Sequence, residues 1–305
     1  MTVTFKITPE KEASALQFLY RQFFVTPPAV KRRDVDLSGK TAIITGSNQG
    51  LGLETARQLL DLGSKVILAV RNESKGEAAR KELARGRNLE PGMIEVWKLD
   101  LASYESIISF AERSKGLQHL DIAVLNAGIY KLHEEFGPKG YEENVQLNYL
   151  CNVLLASLLL PVLAEKRRGD KPGRLVLVSS DTAGWAKFEE RTAKPLLPAF
   201  KQKMKKWDMQ ERYGTSKLLG QLFLVELAKR VPSSTVTVTS ANCGLCYGTS
   251  LSREGDGLLI GFVAGILTRI IGRNCSIGAR TFVHAAASLG EEAHGQYVED
   301  STLHP

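Results

Sequence analysis

Tyr213 and Lys217 stand four residues apart in a stretch that reads as helix, so they share one face. A phenol exchanges its proton poorly near neutrality, because its pKa is normally about 10. A neighbouring ammonium stabilises the phenolate and lowers that value. Such a pair can act as a general acid or base, most efficient when the tuned pKa nears the working pH. Two other polar residues suit the same chemistry. Ser180 can hydrogen-bond a substrate oxygen, and Asn148 can hold a water that links the lysine to solvent. Tyr-x-x-x-Lys alone arises by chance; its weight comes from following Ser180 and a glycine-rich turn.

That turn lies in Lys40-Thr-Ala-Ile-Ile-Thr-Gly-Ser-Asn-Gln-Gly-Leu-Gly-Leu-Glu54. Residues 41–44 read as a buried strand, glycines follow at 46, 50 and 52, and a helix begins. Glycines let backbone approach a ligand where a Cβ would clash. A helix start aimed at the turn offers free N–H groups and a positive dipole end to a phosphate. The spacing is Gly-x-x-x-Gly-x-Gly rather than the commoner Gly-x-Gly-x-x-Gly. It predicts a dinucleotide site on a strand–turn–helix unit.

Beyond it, strands expected at 66–70, 93–99, 120–125, 174–178 and 235–240 alternate with helices at 73–86, 103–115, 147–163 and 213–230. The alternation predicts an α/β fold: a Rossmann-type, doubly wound parallel sheet flanked by helices. Ligands bind such sheets at the carboxyl ends of the strands. Polar or glycine-rich segments fall at those ends, at 45–52, 71–72, 100–101, 126–128 and 179–184. The second strand ends Val70-Arg71-Asn72. Without a carboxylate there to take the ribose hydroxyls of NAD, and with a guanidinium suited to phosphate, NADP(H) is the expected cofactor. Asp100 can contact the adenine end or bond locally to the start of the next helix.

With these pieces in order, the chain resembles the short-chain dehydrogenase/reductase family, from about Ser38 to near residue 300. Thr45-Gly46-Ser-Asn-Gln-Gly50-Leu-Gly52 matches its cofactor turn, and Asn126-Ala127-Gly128 its Asn-Ala-Gly motif. Asn148, Ser180, Tyr213 and Lys217 match its catalytic tetrad; Ser179 is the fallback for Ser180. The resemblance implies hydride transfer between nicotinamide and a carbonyl or alcohol carbon, while Tyr213 gives or takes the proton on oxygen. It implies cofactor contacts from Gly46, Asn48, Gln49, Gly50, Leu51, Gly52, Arg71, Asp100, Leu101, Asn126, Ala127, Gly128, Tyr213, Lys217, Gly244 and Thr249. The N-terminal arm, the Arg71 loop and the long loop after Ser180 look similar to those of retinol-dehydrogenase-like members and of fungal biosynthetic reductases.

The chain departs from the family pattern twice. Asn242-Cys243-Gly244 stands where Pro-Gly is usual, which restores an N–H and frees φ. The interval from Ser180 to Tyr213 is long and carries Trp185, Phe188, Phe200, Trp207 and a basic run at 201–206. It is expected to wall a substrate pocket together with the apolar segment 257–272, enclosing a lipophilic ketone or secondary alcohol. A product of secondary metabolism is the expected substrate, in the direction of reduction. Two rivals keep the fold and lose the redox step: an isomerase, epimerase or cyclase, and a nucleotide-binding scaffold.

Composition sets the remaining bounds. The 305 residues, 43% hydrophobic and 24% charged, suit a globular chain able to bury a core without disulfide or metal. The net charge of +7 comes without zinc spacing or a basic helix, so no nucleic-acid partner is expected. The pair Cys243 and Cys246 has no second pair or histidine cluster beside it, so incidental thiols in a reducing compartment are expected, with no metal site. No secretory signal is evident, and segment 257–272 is short for a span and interrupted by Arg269. A cytoplasmic enzyme follows, with 257–272 as a lid or a peripheral membrane contact. Residues 1–37 form an arm ahead of the catalytic domain at 38–305. Leu16, Leu19, Phe23 and Phe24 make an apolar stripe on it, for packing on the body or for contact with a partner or membrane.

Overall fold

The computed structural model describes residues 5, 7–249, 251, 266 and 268–305. Eight strands form one sheet: β1 (Thr41–Thr45), β2 (Lys65–Val70), β3 (Ile94–Lys98), β4 (Ile122–Leu125), β5 (Gly173–Val178), β6 (Val236–Asn242), β9 (Tyr297–Glu299) and β10 (Thr302–His304). Their order is β10-β9-β6-β5-β4-β1-β2-β3, parallel throughout except for the β9–β10 hairpin. Two short strands, β7 (Cys246–Tyr247) and β8 (Arg273–Asn274), pair separately.

β1 is buried along its whole length, as its run of β-branched and small residues requires. Alternate side chains feed opposite layers. Ala42 and Ile44 pack with Leu53, Ala56 and Leu59 of helix Gly50–Asp61 and with Phe282 of helix Cys275–Ala287. Ile43 packs with Ile107 and Phe110 of helix Tyr104–Lys115 and with Leu155 and Leu159 of helix Asn152–Lys166. β1 lies between β2 and β4, where the strand order reverses, so the 46–52 turn opens onto the crevice at that switch point.

Two differences from the sequence reading, at Val145–Cys151 and in the arm, bear on the site, while the apolar 147–163 helix packs as expected. Residues Val145–Cys151, ahead of the helix Asn152–Lys166, wind as a π-helix, which carries Asn148. The apolar helical stretch 145–166 is long enough to cross a membrane, yet it packs in the body, with Leu155, Ala156, Leu159 and Leu163 fully buried. The arm forms the predicted helix, Ala15–Phe24, but packs by its opposite face. Leu16 (82% exposed), Leu19, Phe23 and Phe24 (75%) face outward, while Arg21 and Gln22 are buried. The body opposite them offers carboxylates and free backbone groups, so polar residues point in. Of the apolar segment 257–272, residues 257–265 and 267 lie outside the described residues; 266 and 268–271 are helical.

Candidate active site

The glycine turn is shaped by contacts no side chain would permit. Gly46 (φ 66°) and Gly50 (φ 58°) adopt left-handed backbone. A Cβ on Gly52 would lie 2.5 Å from the Gly46 carbonyl and 2.7 Å from Asn126 Nδ2. Asn126 Nδ2 donates to the Thr45 carbonyl (2.9 Å), and Thr45 Oγ1 accepts from the Ala127 N–H (2.8 Å), tying the end of β4 to the turn. Asn72, Ser103, Asp208 and Asn274 cap the helices that follow them through their side chains, whereas the helix Gly50–Asp61 starts at extended Gln49 with no side-chain cap. Its first N–H groups are therefore available to an anion. Asn48 is half-buried and Gln49 exposed beside it. The backbone of Gly248 and Thr249 passes over Gly50, 3.5 Å from where a Cβ would be. This cradle fits the diphosphate of a nicotinamide dinucleotide.

Arg71 lies exposed just past β2, ahead of the Asn72-capped helix Glu73–Ala84. Asp100 Oδ1 accepts from the Ala102 N–H (3.0 Å) in a local turn, and Leu101 is buried next to it. Gly244 (φ 69°) takes a left-handed turn past β6, its N–H bonded to Asn242 Oδ1 at 3.2 Å.

Tyr213, Lys217, Ser180 and Asn148 converge at the ends of β4 and β5. Tyr213 and Lys217 lie on the helix Met209–Ala228. Gly214 lets that helix approach the short helix Thr182–Trp185, where a Cβ would meet the Thr182 carbonyl at 2.5 Å. The approach brings Tyr213 within hydrogen-bond reach of Ser180. Ser180 Oγ also accepts from Thr182 Oγ1 (3.0 Å), while Ser179 Oγ accepts from Gln221 Nε2 (3.1 Å) behind the sheet end. Of the two adjacent serines, Ser180 is the one that meets the phenol.

Asn148 Nδ2 donates to the Ile129 carbonyl (2.9 Å) and to Ser216 Oγ (3.1 Å), and its Oδ1 accepts from the Ile129 N–H (2.8 Å). Gly128 makes room for it, since a Cβ there would lie 3.0 Å from that Oδ1. Lys217 Nζ donates to the Val178 carbonyl (2.9 Å) and lies 5.6 Å from the centre of the Tyr213 ring. Behind it is a cavity of about 20 Å³, lined by Asn148, Asn152, Ser179, Ser216, Lys217 and Gln221 among others, large enough for one water.

The electrostatics differ from the sequence expectation. Burial holds the Tyr213 phenol well above its ordinary pKa, with Cys243 adding to the rise and the Ser180 hydrogen bond opposing it. Burial also lowers Lys217, to about 8. The lysine does not pull the tyrosine down here, because desolvation outweighs a cation whose Nζ bonds a carbonyl. The result is a phenol kept protonated beside an ammonium that titrates near neutrality. Cys243 is a buried, free thiol, raised by its hydrogen bond with Cys246 and by burial, and so neutral.

Sequence reasoning overlooked several residues around this centre. Tyr130 packs edge-on to Tyr213, ring centres 4.9 Å apart; its place two residues after Gly128 was the available signal. Ser216 Oγ donates to the Tyr213 carbonyl (2.7 Å) while accepting from Asn148. Asp181, the neighbour of Ser180, accepts from Arg21 Nη2 (2.7 Å), a partner 160 positions away that no local pattern reveals.

The interval after Ser180 is a packed insertion. Phe188 and Phe200 stack at 6.4 Å and are buried with Val145 and Leu219 in a small core of their own. Arg212, almost fully buried, pairs with Glu190 (2.8 Å) beneath the Phe200 ring. Trp207 Nε1 donates to the Leu132 carbonyl (2.7 Å) and Trp185 Nε1 to the Ala13 carbonyl (2.8 Å).

Comparisons with known proteins agree with this geometry. The family model for short chain dehydrogenases matches residues 40–192. The chain is 62% identical over 309 residues to the short-chain dehydrogenase fogG of Aspergillus ruber, covering 100% of this chain and 89% of the relative. It is 44% identical to the short chain dehydrogenase/reductase mfmJ of Annulohypoxylon moriforme, over 94% of this chain and 83% of that one. A short chain dehydrogenase of Escherichia coli CFT073, solved in complex with NADPH, superposes with TM-score 0.66 at 18% identity, covering 90% of this chain and 100% of the other, and shares the fold. With the glycine turn, Asn126, and Tyr213 beside Lys217 in place, the chain belongs to the short-chain dehydrogenase/reductase family of nicotinamide-dependent oxidoreductases.

Proposed function

We propose that this chain is a cytoplasmic, NADP(H)-dependent reductase of a lipophilic ketone, acting in secondary-metabolite biosynthesis. The observation that carries the reading is the buried Tyr213 phenol within reach of Ser180 and with Lys217 beside it, at the strand ends that also bear the glycine cradle. When bound, the nicotinamide supplies or accepts the hydride at the substrate carbon. Ser180 and Tyr213 hold the substrate oxygen between two donors, and Tyr213 delivers the proton as charge develops there. Lys217 in its charged form favours the phenolate left behind. Asn148 fixes the backbone at Ile129 and closes one wall of the cavity behind Lys217, where a water can carry the replacement proton. A phenol held protonated suits the reductive direction.

The NADP preference rests on Arg71, an exposed guanidinium beyond β2 with no carboxylate at Val70. The relatives at 62% and 44% identity are fungal, in keeping with the fungal reductase type that the chain resembles. A panel of lipophilic ketones and secondary alcohols, followed by NADPH absorbance, tests the reaction; no cofactor consumption with any of them removes it. Arg71→Ala is expected to weaken NADPH binding about tenfold or more and NADH binding little, in keeping with the loss of a charge-assisted hydrogen bond. An equal effect on both cofactors removes Arg71 as the phosphate ligand.

A further inference from the structure

The arm reaches both segments that flank Tyr213. Arg21, almost fully buried, donates through Nη2 to Asp181 Oδ1 (2.7 Å), pairs through the same nitrogen with Glu299 Oε2 (3.0 Å), and pairs through Nη1 with Glu12. Asp181 follows Ser180 directly. Its second oxygen accepts from Asn242 Nδ2 (2.8 Å), and Asn242 also donates to Glu299 Oε1 (2.9 Å). Asn242 ends β6 and holds the Gly244 N–H (3.2 Å), so a single carboxylate joins the Ser180 segment to the turn past β6. The next arm residue repeats the grip. Gln22 Nε2 donates to the Leu245 and Ile271 carbonyls (both 3.1 Å), and its Oε1 accepts from the Leu245 N–H (3.1 Å). Arg273 returns the contact, donating to the Arg21 and Val25 carbonyls (2.7 and 3.0 Å) and pairing with Asp300. Phe18 packs edge-on to Trp185, centres 5.5 Å apart.

A cluster that served only to fasten the arm would have no need to spend its central carboxylate on the residue next to Ser180. Four carboxylates, from Glu12, Asp181, Glu299 and Asp300, meet two guanidiniums, from Arg21 and Arg273. Without Arg21, Asp181 and Glu299 would face each other unneutralised, and one would have to move or take up a proton. Burial and Asp181 already push the Glu299 carboxyl well above its usual range. Either response shifts Asp181, and with it the adjacent Ser180.

We propose that Arg21 is a positioning residue of the active site: acting through Asp181, it sets Ser180 against Tyr213 and locks the Asn242–Gly244 turn on the other side, so turnover requires the docked arm. This rests on the reductase reading above. The test compares wild type with Arg21→Ala, measuring kcat for α-tetralone and the other ketones of the panel, NADPH affinity by fluorescence, and arm docking by Trp185 emission. A displacement of the order of 1 Å is expected to cost about 10²-fold in kcat. NADPH affinity is expected to fall far less than kcat, because only the Gly244 side of the cradle is tied to Asn242. Millimolar ethylguanidinium restores part of the lost kcat by refilling the site. If Arg21→Ala fails to fold, Arg21→Lys keeps the charge but not the fork, and the same split is expected in smaller measure. Wild-type kcat in either folded variant overturns the proposal. So does a parallel loss of kcat and NADPH affinity that ethylguanidinium leaves unchanged. A wild-type chain that consumes no NADPH with any ketone overturns the reductase reading and this inference with it, whereas an active wild type with indifferent Arg21 variants overturns the inference alone.

Discussion

The two sides of the crevice are held by different physics. On the cofactor side, backbone does the fixing: Gly46, Gly50 and Gly52 permit contacts closed to other residues, and Asn126 stitches β4 to the turn. The layers beneath are apolar and nearly sealed. Around Ser180 and the insertion that follows it, side chains do the fixing. Buried Arg21 and Arg212 pair with carboxylates, Trp185 and Trp207 bond to carbonyls, and Phe188 stacks on Phe200. Backbone-built sites tolerate little variation, because one added methyl group collides with main chain. Sites built from side chains can be re-lined by substitution, which is where substrate choice resides in a shared fold.

Four perturbations probe that contrast, from the largest effect to the smallest. Tyr213→Phe removes the proposed proton donor and is expected to lower kcat by about 10²–10⁴-fold, with NADPH binding intact. Steady-state rates and a fluorescence titration check it, and undiminished turnover would discard Tyr213 as the acid. Phe200→Ala empties the core of the insertion and should cost about 3–5 kcal/mol in urea unfolding. Its catalytic effect should appear in KM for the ketone and not in NADPH affinity; the reverse pattern would break the division of labour. Gly52→Ala strikes the other side, forcing a Cβ against the Gly46 carbonyl at a cost of about 1–3 kcal/mol. NADPH affinity should drop, while the Ser180–Tyr213 pair stays as it was. Finally, Lys217 is charged below its pKa of about 8 and neutral above it. The rate of reduction should therefore fall as pH rises through about 8, and a flat profile from pH 7 to 9 would separate the lysine charge from catalysis.

The same contrast explains what the sequence made legible. The 46–52 turn, Asn126-Ala127-Gly128 and Tyr213 with Lys217 are contiguous or one helical turn apart, so their spacing already encodes their geometry. The parallel sheet was readable for the same reason, since strand and helix periods are local. The direction of the Tyr213 shift was not, because it depends on burial, with Cys243 and Tyr130 adding to it, and these groups meet only in the fold. Nor was the arm's orientation. Its apolar stripe suggested the packing face, yet Arg21 and Gln22 turn inward toward partners as remote in sequence as Ile271, Glu299 and Asp300. Helical period finds a face; only tertiary contacts say which face is wanted.

The salt link between Arg21 and Asp181 also makes a statement about inheritance. Asp181 lies within the stretch 40–192 matched by the family model, while Arg21 and Glu299 lie outside it, one near each end of the chain. A buried acid that loses its counter-charge must move or take up a proton. Relatives that keep this arm should keep the acid at the position of Asp181 and the acid near the last strands as a set. Relatives without the arm should have replaced both acids together, and grafting one lineage's arm onto another's body should work only when those acids travel with it.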